Sequence, residues 1–184
     1  HSLKISRTDT DNETSGGNPD KDITRGVRDS FKYQFNYLGE ANRLSLLLEH
    51  ESEDYNQRGT ASFFGDPNQN LSADTDSFAA EYRYGGKRFN FSLSGRQDNN
   101  SEFDDANSWR MTGNYKLSST TLFASIGESI KNPTFTERFG FFTNFIGNPD
   151  LDPEDSLHWE IGARTALLKS KLDFSLTYFN ADLE

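Results

Sequence analysis

The alternation of apolar and polar side chains is the feature that most constrains how this chain folds. Leu157, Trp159 and Ile161 share one face of an extended backbone. His158 and Glu160, which alternate with them, share the other. A helix would instead bring residues three and four apart onto one face. This period of two therefore predicts β-strands that have one apolar and one polar surface.

The same alternation predicts about nine strands along the 184 residues. They lie at residues 2–6, 30–38, 43–51, 78–84, 89–94, 109–116, 121–127, 157–165 and 172–178. The connections are long and short in turn. Long polar stretches occupy residues 8–28, 52–74 and 98–107, and tight turns occupy residues 39–42, 85–86, 118–119 and 169–170. Long loops at one end of a sheet and tight turns at the other are typical of a transmembrane β-barrel.

The composition agrees with a sheet that needs only every second side chain to be apolar. Hydrophobic residues make up 33% of the chain, yet aromatic residues make up 14%. The longest aliphatic run, Leu46 to Leu48, is too short for a transmembrane helix. The net charge of -10 argues against binding nucleic-acid phosphates, and the absence of cysteine excludes disulfides and thiol ligands.

The aromatic residues favour a membrane without deciding the matter. Tyr37, Tyr84 and Tyr115 lie beside the predicted short turns, where an interfacial girdle would place them. The charged residues of the strands all lie on the polar face, which fits either bulk solvent or a water-filled lumen. Periodicity alone therefore leaves open a membrane barrel and a soluble antiparallel sheet.

A framework of Pro, Gly and Glu between residues 130 and 162 resembles the corresponding stretch of TonB-dependent outer-membrane receptors. It contains prolines, which cannot donate to a strand ladder and so end strand pairing, and turn-forming Asn-Pro and Asp-Pro pairs. Ile130, Asn132 and Asp152 depart from the family pattern. The matching residues are Pro133, Glu137, Phe139, Gly147, Asn148, Pro149, Leu151, Pro153, Glu154, Ser156, Glu160 and Gly162.

The resemblance implies an all-β protein, an antiparallel transmembrane β-barrel segment of about nine strands from a 22-stranded, plugged barrel. Residues 1–184 would then be a C-terminal-half fragment of that barrel with no plug domain. The family implies an outer-membrane location in a Gram-negative bacterium and import of a bulky, scarce ligand of the iron-siderophore or cobalamin type. It also implies contact with outer-membrane lipid, and energy from the TonB complex through a plug. No catalytic residue is expected.

The candidate ligand-binding residues are four phenylalanines of the longest loop. Phe139, Phe141, Phe142 and Phe145 could stack on a ligand at a barrel mouth, or could pack the loops against one another. The acid-rich loops could hold calcium, although none matches the twelve-residue calcium loop, and no other metal site is expected.

Two other functions stay open at this point. One is a small stand-alone outer-membrane β-barrel of about eight strands. The other is an extracellular β-sandwich. Either would bind surface glycans or partners through its loops.

Overall fold

Nine long strands form one antiparallel sheet in the computed structural model, which describes residues 1–15, 21–61, 63, 65–102, 104–142, 145–167 and 172–183. Seven strands come first: β1 (Ser2–Ser15), β2 (Lys21–Leu38), β3 (Asn42–Arg58), β4 (Gln69–Gly85), β5 (Phe89–Asn100), β6 (Ala106–Leu117) and β7 (Thr120–Lys131). A short helix and a small hairpin follow: α1 (Phe135–Phe139), β8 (Phe141–Phe142) and β9 (Phe145–Ile146). The last strands are β10 (Glu154–Leu167) and β11 (Leu172–Leu183).

Each long strand pairs with the next long strand along the chain. The order in the sheet is β1-β2-β3-β4-β5-β6-β7-β10-β11, so β7 pairs with β10 across the segment that holds α1, β8 and β9. The two ends of this order, β1 and β11, do not pair with each other. Among the described residues, no helix is both long enough and apolar enough to cross a membrane.

The strand register gathers the alternating residues into two continuous surfaces. On the apolar face, Phe35 lies opposite Leu46, and Leu46 lies opposite Ala80. On the polar face, Lys32 lies opposite Glu49. A slip of one residue would exchange the two faces, so this register confirms the predicted assignment of side chains.

The burial of the two faces is the reverse of that in a soluble protein. On the apolar face Ile161 is 56% exposed and Leu176 is 66% exposed. On the polar face Glu49 is 7% exposed and Ser125 is 7% exposed. In a β-sandwich a second sheet would cover the apolar face. The described residues supply no such cover, so the sandwich hypothesis is wrong.

The strands are longer than the sequence predicts. The expected loop at residues 8–28 is wrong, since most of it belongs to β1 and β2. The predicted loops at 52–74 and 98–107 are also too long, since their first and last residues belong to the neighbouring strands. The strand predicted at 2–6 extends to Ser15. These extensions pair polar side chains with polar side chains, for example Arg25 with Asp11 at 2.8 Å. Strand segments built from such pairs lack the alternation of apolar and polar residues from which the strands were predicted.

The tight turns are largely as predicted. The amide of Gly39 donates to the carbonyl of Asn42 (2.8 Å), and the amide of Gly86 donates to that of Phe89 (2.9 Å). Ser118 closes the third turn with a positive φ of 51°. The fourth predicted turn, at residues 169–170, lies outside the described residues.

The family-type glycine Gly162 lies where three strands approach closely. The ring of Phe123, on β7, covers it from the polar face. A Cβ atom at this position would lie 2.6 Å from the backbone oxygen of Leu176 on β11 and would also meet the Phe123 ring. The glycine therefore allows an aromatic side chain and a neighbouring strand to occupy this space.

Replacing Gly162 with alanine is expected to destabilise the sheet by roughly 1–3 kcal/mol, because the backbone oxygen of Leu176 cannot rotate away. The matched control is Gly113→Ala on β6, where the nearest atom to the added Cβ is 3.9 Å away. The free energy of unfolding in urea would be measured for both variants. If both variants lost the same free energy of unfolding, the close contact at Gly162 would not be the cause of the destabilisation.

Candidate functional site in the loop between β7 and β10

The motif loop, residues 132–153, begins with a capped helical turn. The backbone N–H and the hydroxyl of Thr134 both donate to the carboxylate of Glu137, at 2.8 and 2.9 Å. In return, the amide of Glu137 donates to the Thr134 hydroxyl at 3.2 Å. This is a capping box, which satisfies donors that a short helix leaves open. Glu137 of the family framework therefore fixes the start of α1.

The Gly-Asn-Pro part of the framework closes back onto the same helix. The amide of Asn148 donates to the carbonyl of Glu137 at 2.9 Å, and Arg138 Nε donates to the carbonyl of Pro149 at 3.1 Å. A Cβ atom on Gly147 would lie 2.6 Å from the backbone of Arg138, so only glycine allows this approach. The Gly-Asn-Pro segment is thus held against α1 by backbone and side-chain hydrogen bonds.

The rest of the framework lies where the loop enters β10. Leu151 is 37% exposed, and its amide lies 3.3 Å from the carbonyl of Asn148. Pro153 ends the loop and is followed by Glu154, whose carboxylate lies 3.6 Å from Lys131 Nζ. Further along β10, Ser156 pairs with Ser129, and Glu160 accepts a hydrogen bond from the Ser125 hydroxyl at 3.0 Å.

Two glutamines of the strand ends hold the motif loop against the polar face. Gln57, at the end of β3, is fully buried. Its Nε2 donates to the carbonyl of Phe141 at 2.6 Å, and its Oε1 accepts from the amide of the same residue at 3.2 Å. Gln69, at the start of β4, donates to the carbonyl of Phe139 at 2.6 Å. Neither glutamine was predicted from the sequence as a functional or structural residue.

The aromatic residues of the loop pack against the same strand ends. The ring of Phe135 stacks on Tyr55 of β3, with ring centroids 5.6 Å apart. The ring of Phe141 lies against Gly65, in the connection between β3 and β4. Phe139 and Phe142 are half-buried, and Phe145 is 43% exposed. The packing alternative for these phenylalanines is therefore present, and their ligand-binding role stays a prediction.

A cleft, here called the rim cleft, opens between the motif loop and the motif-loop side of β1–β5, and includes part of the connection between β5 and β6. Its volume is about 410 Å³, within the range of small-molecule sites. Its walls combine aromatic, aliphatic, hydroxyl and charged groups. The residues that line it are Thr8, Thr10, Gly26, Val27, Arg28, Glu53, Asp54, Tyr55, Ala73, Asn100, Glu102, Pro133, Thr134, Phe135 and Arg138.

The two arginines of the rim cleft are both paired with carboxylates. Arg28 forms an ion pair with Glu53 and lies 3.5 Å from the carboxylate of Glu51. Arg138 lies 3.7 Å from the carboxylate of Glu102 and has a side chain that is 14% exposed. The cationic groups of the cleft are therefore balanced within the protein.

The acid-rich loops use at least one carboxylate for turn formation. Asp66 accepts from the amide of Asn68 at 2.9 Å and from its side-chain Nδ2 at 2.6 Å. These bonds lower the pKa of the Asp66 carboxyl below its ordinary value. Among the described residues, no group of three or more metal-binding side chains is gathered closely enough to hold an ion. Calcium binding stays a prediction.

Comparison with known proteins identifies the architecture. A family model described as "TonB dependent receptor-like, beta-barrel" matches residues 2–184. The solved structure of the siderophore receptor PirA from Acinetobacter baumannii aligns with a TM-score of 0.68 and 19% identity, over 89% of this chain and 27% of that one. The ferric enterobactin receptor PfeA of Pseudomonas aeruginosa aligns with a TM-score of 0.73 and 18% identity, over 99% of this chain and 32% of that one.

The copper transporter OprC aligns with a TM-score of 0.76 and 12% identity, over 98% of this chain and 35% of that one. At such identities the likeness shows the fold alone. The chain spans about a third of the length of these solved chains, between 27% and 35%.

Replacing Gln57 with leucine is expected to loosen the motif loop. The change leaves the amide and the carbonyl of Phe141 without partners, at roughly 1–3 kcal/mol for each buried group. Hydrogen exchange over residues 139–147 should therefore accelerate. The matched control is Asn56→Leu, which removes only an exposed bond to Asn70 (3.0 Å). Unchanged exchange in the Gln57 variant would contradict this anchoring role.

Acid is expected to loosen the start of the motif loop. The N–H and hydroxyl of Thr134, and then Lys131, lower the pKa of Glu137. A carboxylate with a lowered folded pKa stabilises the loop fully above the unfolded value, about 4.3, and loses this contribution as the pH falls through the folded value. The protection factor of the Thr134 amide should fall in that window. Glu137→Gln keeps an acceptor but cannot titrate, so its protection should not follow this pH dependence.

Proposed function

The chain belongs to the family of TonB-dependent receptor β-barrels, and we propose from this that its sheet is part of the lipid-embedded wall of an outer-membrane receptor. The observation that carries this proposal is the bare apolar face, on which Ile161 is 56% exposed and Leu176 is 66% exposed. In water this apolar face would stay exposed at a high free-energy cost, whereas in a membrane lipid chains would cover it.

The limits of the apolar face support a membrane band. On its short-turn side lie Tyr37, Tyr84 and Tyr115, in agreement with an aromatic girdle. On its other side, every strand continues outward with a polar residue, which on β5 follows Gly95. These positions are Arg7, Asp29, His50, Asp76, Gln97, Asn107, Glu128, Asp155 and Asn180. The apolar band therefore has a polar border on the side of the motif loop, which we assign to the cell exterior.

The polar face suits the interior of a water-containing barrel. Glu49 forms ion pairs with Lys32 and with Arg96, the second at 3.1 Å. Arg96 also donates to Asp98 at 2.8 Å and to the Ser77 hydroxyl at 2.8 Å. Such a network satisfies charges that cannot face lipid.

We propose that the receptor binds a bulky, scarce ligand of the iron-siderophore or cobalamin type, and that TonB-coupled energy drives its import. The support is the family, together with relatives of the same fold that are named as a siderophore receptor and a ferric enterobactin receptor. The coupling would act through a plug domain, as the family resemblance implies. Phe139, Phe141, Phe142 and Phe145 are candidate ligand contacts at the outer mouth.

Replacing Ile161 with arginine is expected to destabilise the protein by about 2–4 kcal/mol in a bilayer, because the charge would face hydrocarbon. Asn114→Ala, on the polar face of β6, should change stability little. Unfolding would be measured by urea titration of the protein in lipid vesicles. If both variants lost the same stability, the apolar face would not be the lipid-facing one, and the proposed wall would be wrong.

A further inference from the structure

We propose that the rim cleft receives a neutral ferric chelate, of the tris(hydroxamate) type, and discriminates against trianionic tris(catecholate) chelates. This inference rests on the proposed function, since it names the class of ligand that the receptor would take. It follows from how the charges and the apolar walls of the cleft are arranged.

The arginines of the cleft are already occupied. Arg28 lies between the carboxylates of Glu53 and Glu51. Arg138 lies 3.7 Å from the carboxylate of Glu102 and donates to the carbonyl of Pro149 at 3.1 Å. A polyanionic ligand would have to displace these carboxylates and leave them close to its own negative charge. Separating the pair of Arg138 is costly, because this side chain is 14% exposed. The side chain of Arg28 is 56% exposed, so separating its pairs costs less.

The charge around the cleft also opposes a polyanion. Three carboxylates, those of Glu51, Glu53 and Glu102, lie beside the two arginines of the cleft. The whole chain carries a net charge of -10. A trianion approaching this surface meets repulsion that slows its association and weakens its binding, most strongly at low ionic strength. A neutral chelate does not meet this repulsion.

The uncharged walls offer what a neutral chelate needs. The stacked rings of Tyr55 and Phe135 lie at one side of the cleft and provide apolar contact for aliphatic spacers. Thr8 and Thr10 contribute hydroxyl-bearing side chains to the lining. At Gly26, a Cβ atom would meet nothing within 4 Å, so the glycine leaves open space in the wall. Mixed walls of this kind orient a ligand through hydrogen bonds without selecting for charge.

The first experiment compares two probes on the protein isolated from outer membranes. The probes are hexadentate gallium(III) chelates with the same linker, a neutral tris(hydroxamate) and a trianionic tris(catecholate). Isothermal titration at low salt should show the neutral chelate binding at least roughly tenfold more tightly, with the ratio shrinking as salt screens the repulsion. Equal or tighter binding of the trianion would overturn the inference while leaving the receptor function standing. Binding of neither chelate would overturn the siderophore-type function and the inference with it.

Two variants test the cleft itself. Glu53→Gln combined with Glu102→Gln removes one carboxylate partner from each arginine, so the preference should move toward the trianion by about tenfold or more. The matched control is Glu81→Gln, which removes a carboxylate paired with Arg83 (2.8 Å) on the same face but outside the cleft. An unchanged preference in the double variant would overturn the inference.

Gly26→Trp should fill the cleft without altering its charge and should weaken binding of the neutral chelate about tenfold or more. Both variants would first be checked for native strand content by circular dichroism. If the double variant did not fold, the Gly26 variant would still decide the matter, since full affinity with a filled cleft would place the ligand elsewhere.

Discussion

The ladder between β7 and β10 is the contact on which the rest of this structure depends. It runs from Glu154 opposite Lys131 to Thr165 opposite Thr120, and it fixes both ends of the motif loop one strand spacing apart. The loop must therefore return to its starting point, and its backbone groups must find partners on the way. The capped turn of α1 and the Gly-Asn-Pro segment supply those partners for each other.

The sequence alone predicted the parts of the fold that carry an apolar period. The two faces follow from the alternation around Trp159, and the turn at Gly86 follows from turn chemistry. The polar ends of the strands could not be predicted in this way, because Arg25 and Asp11 pair without any apolar signal. Gln57 was missed because its partner lies 84 positions away in the chain.

The sequence contained a signal for helix α1, but the signals for an irregular loop around it were stronger. Thr134 and Glu137 have the spacing of a capping box, which commonly opens a helix. The neighbouring proline and the turn-forming residues favoured an irregular loop instead. The rim cleft was beyond sequence reasoning for a different reason. Its walls come from five strands, the connection between β5 and β6, and the motif loop, so only the strand register brings Gly26 and Phe135 together.

The attachment of the motif loop has a consequence for how this surface can diversify. Gln57 and Gln69 bind the backbone amide and carbonyl groups of residues 139 and 141, which every amino acid except proline provides in full. Side chains at those positions can therefore be exchanged while the loop keeps its course across the sheet. A lineage could alter what the mouth of the protein presents to its surroundings without rebuilding the scaffold that carries it.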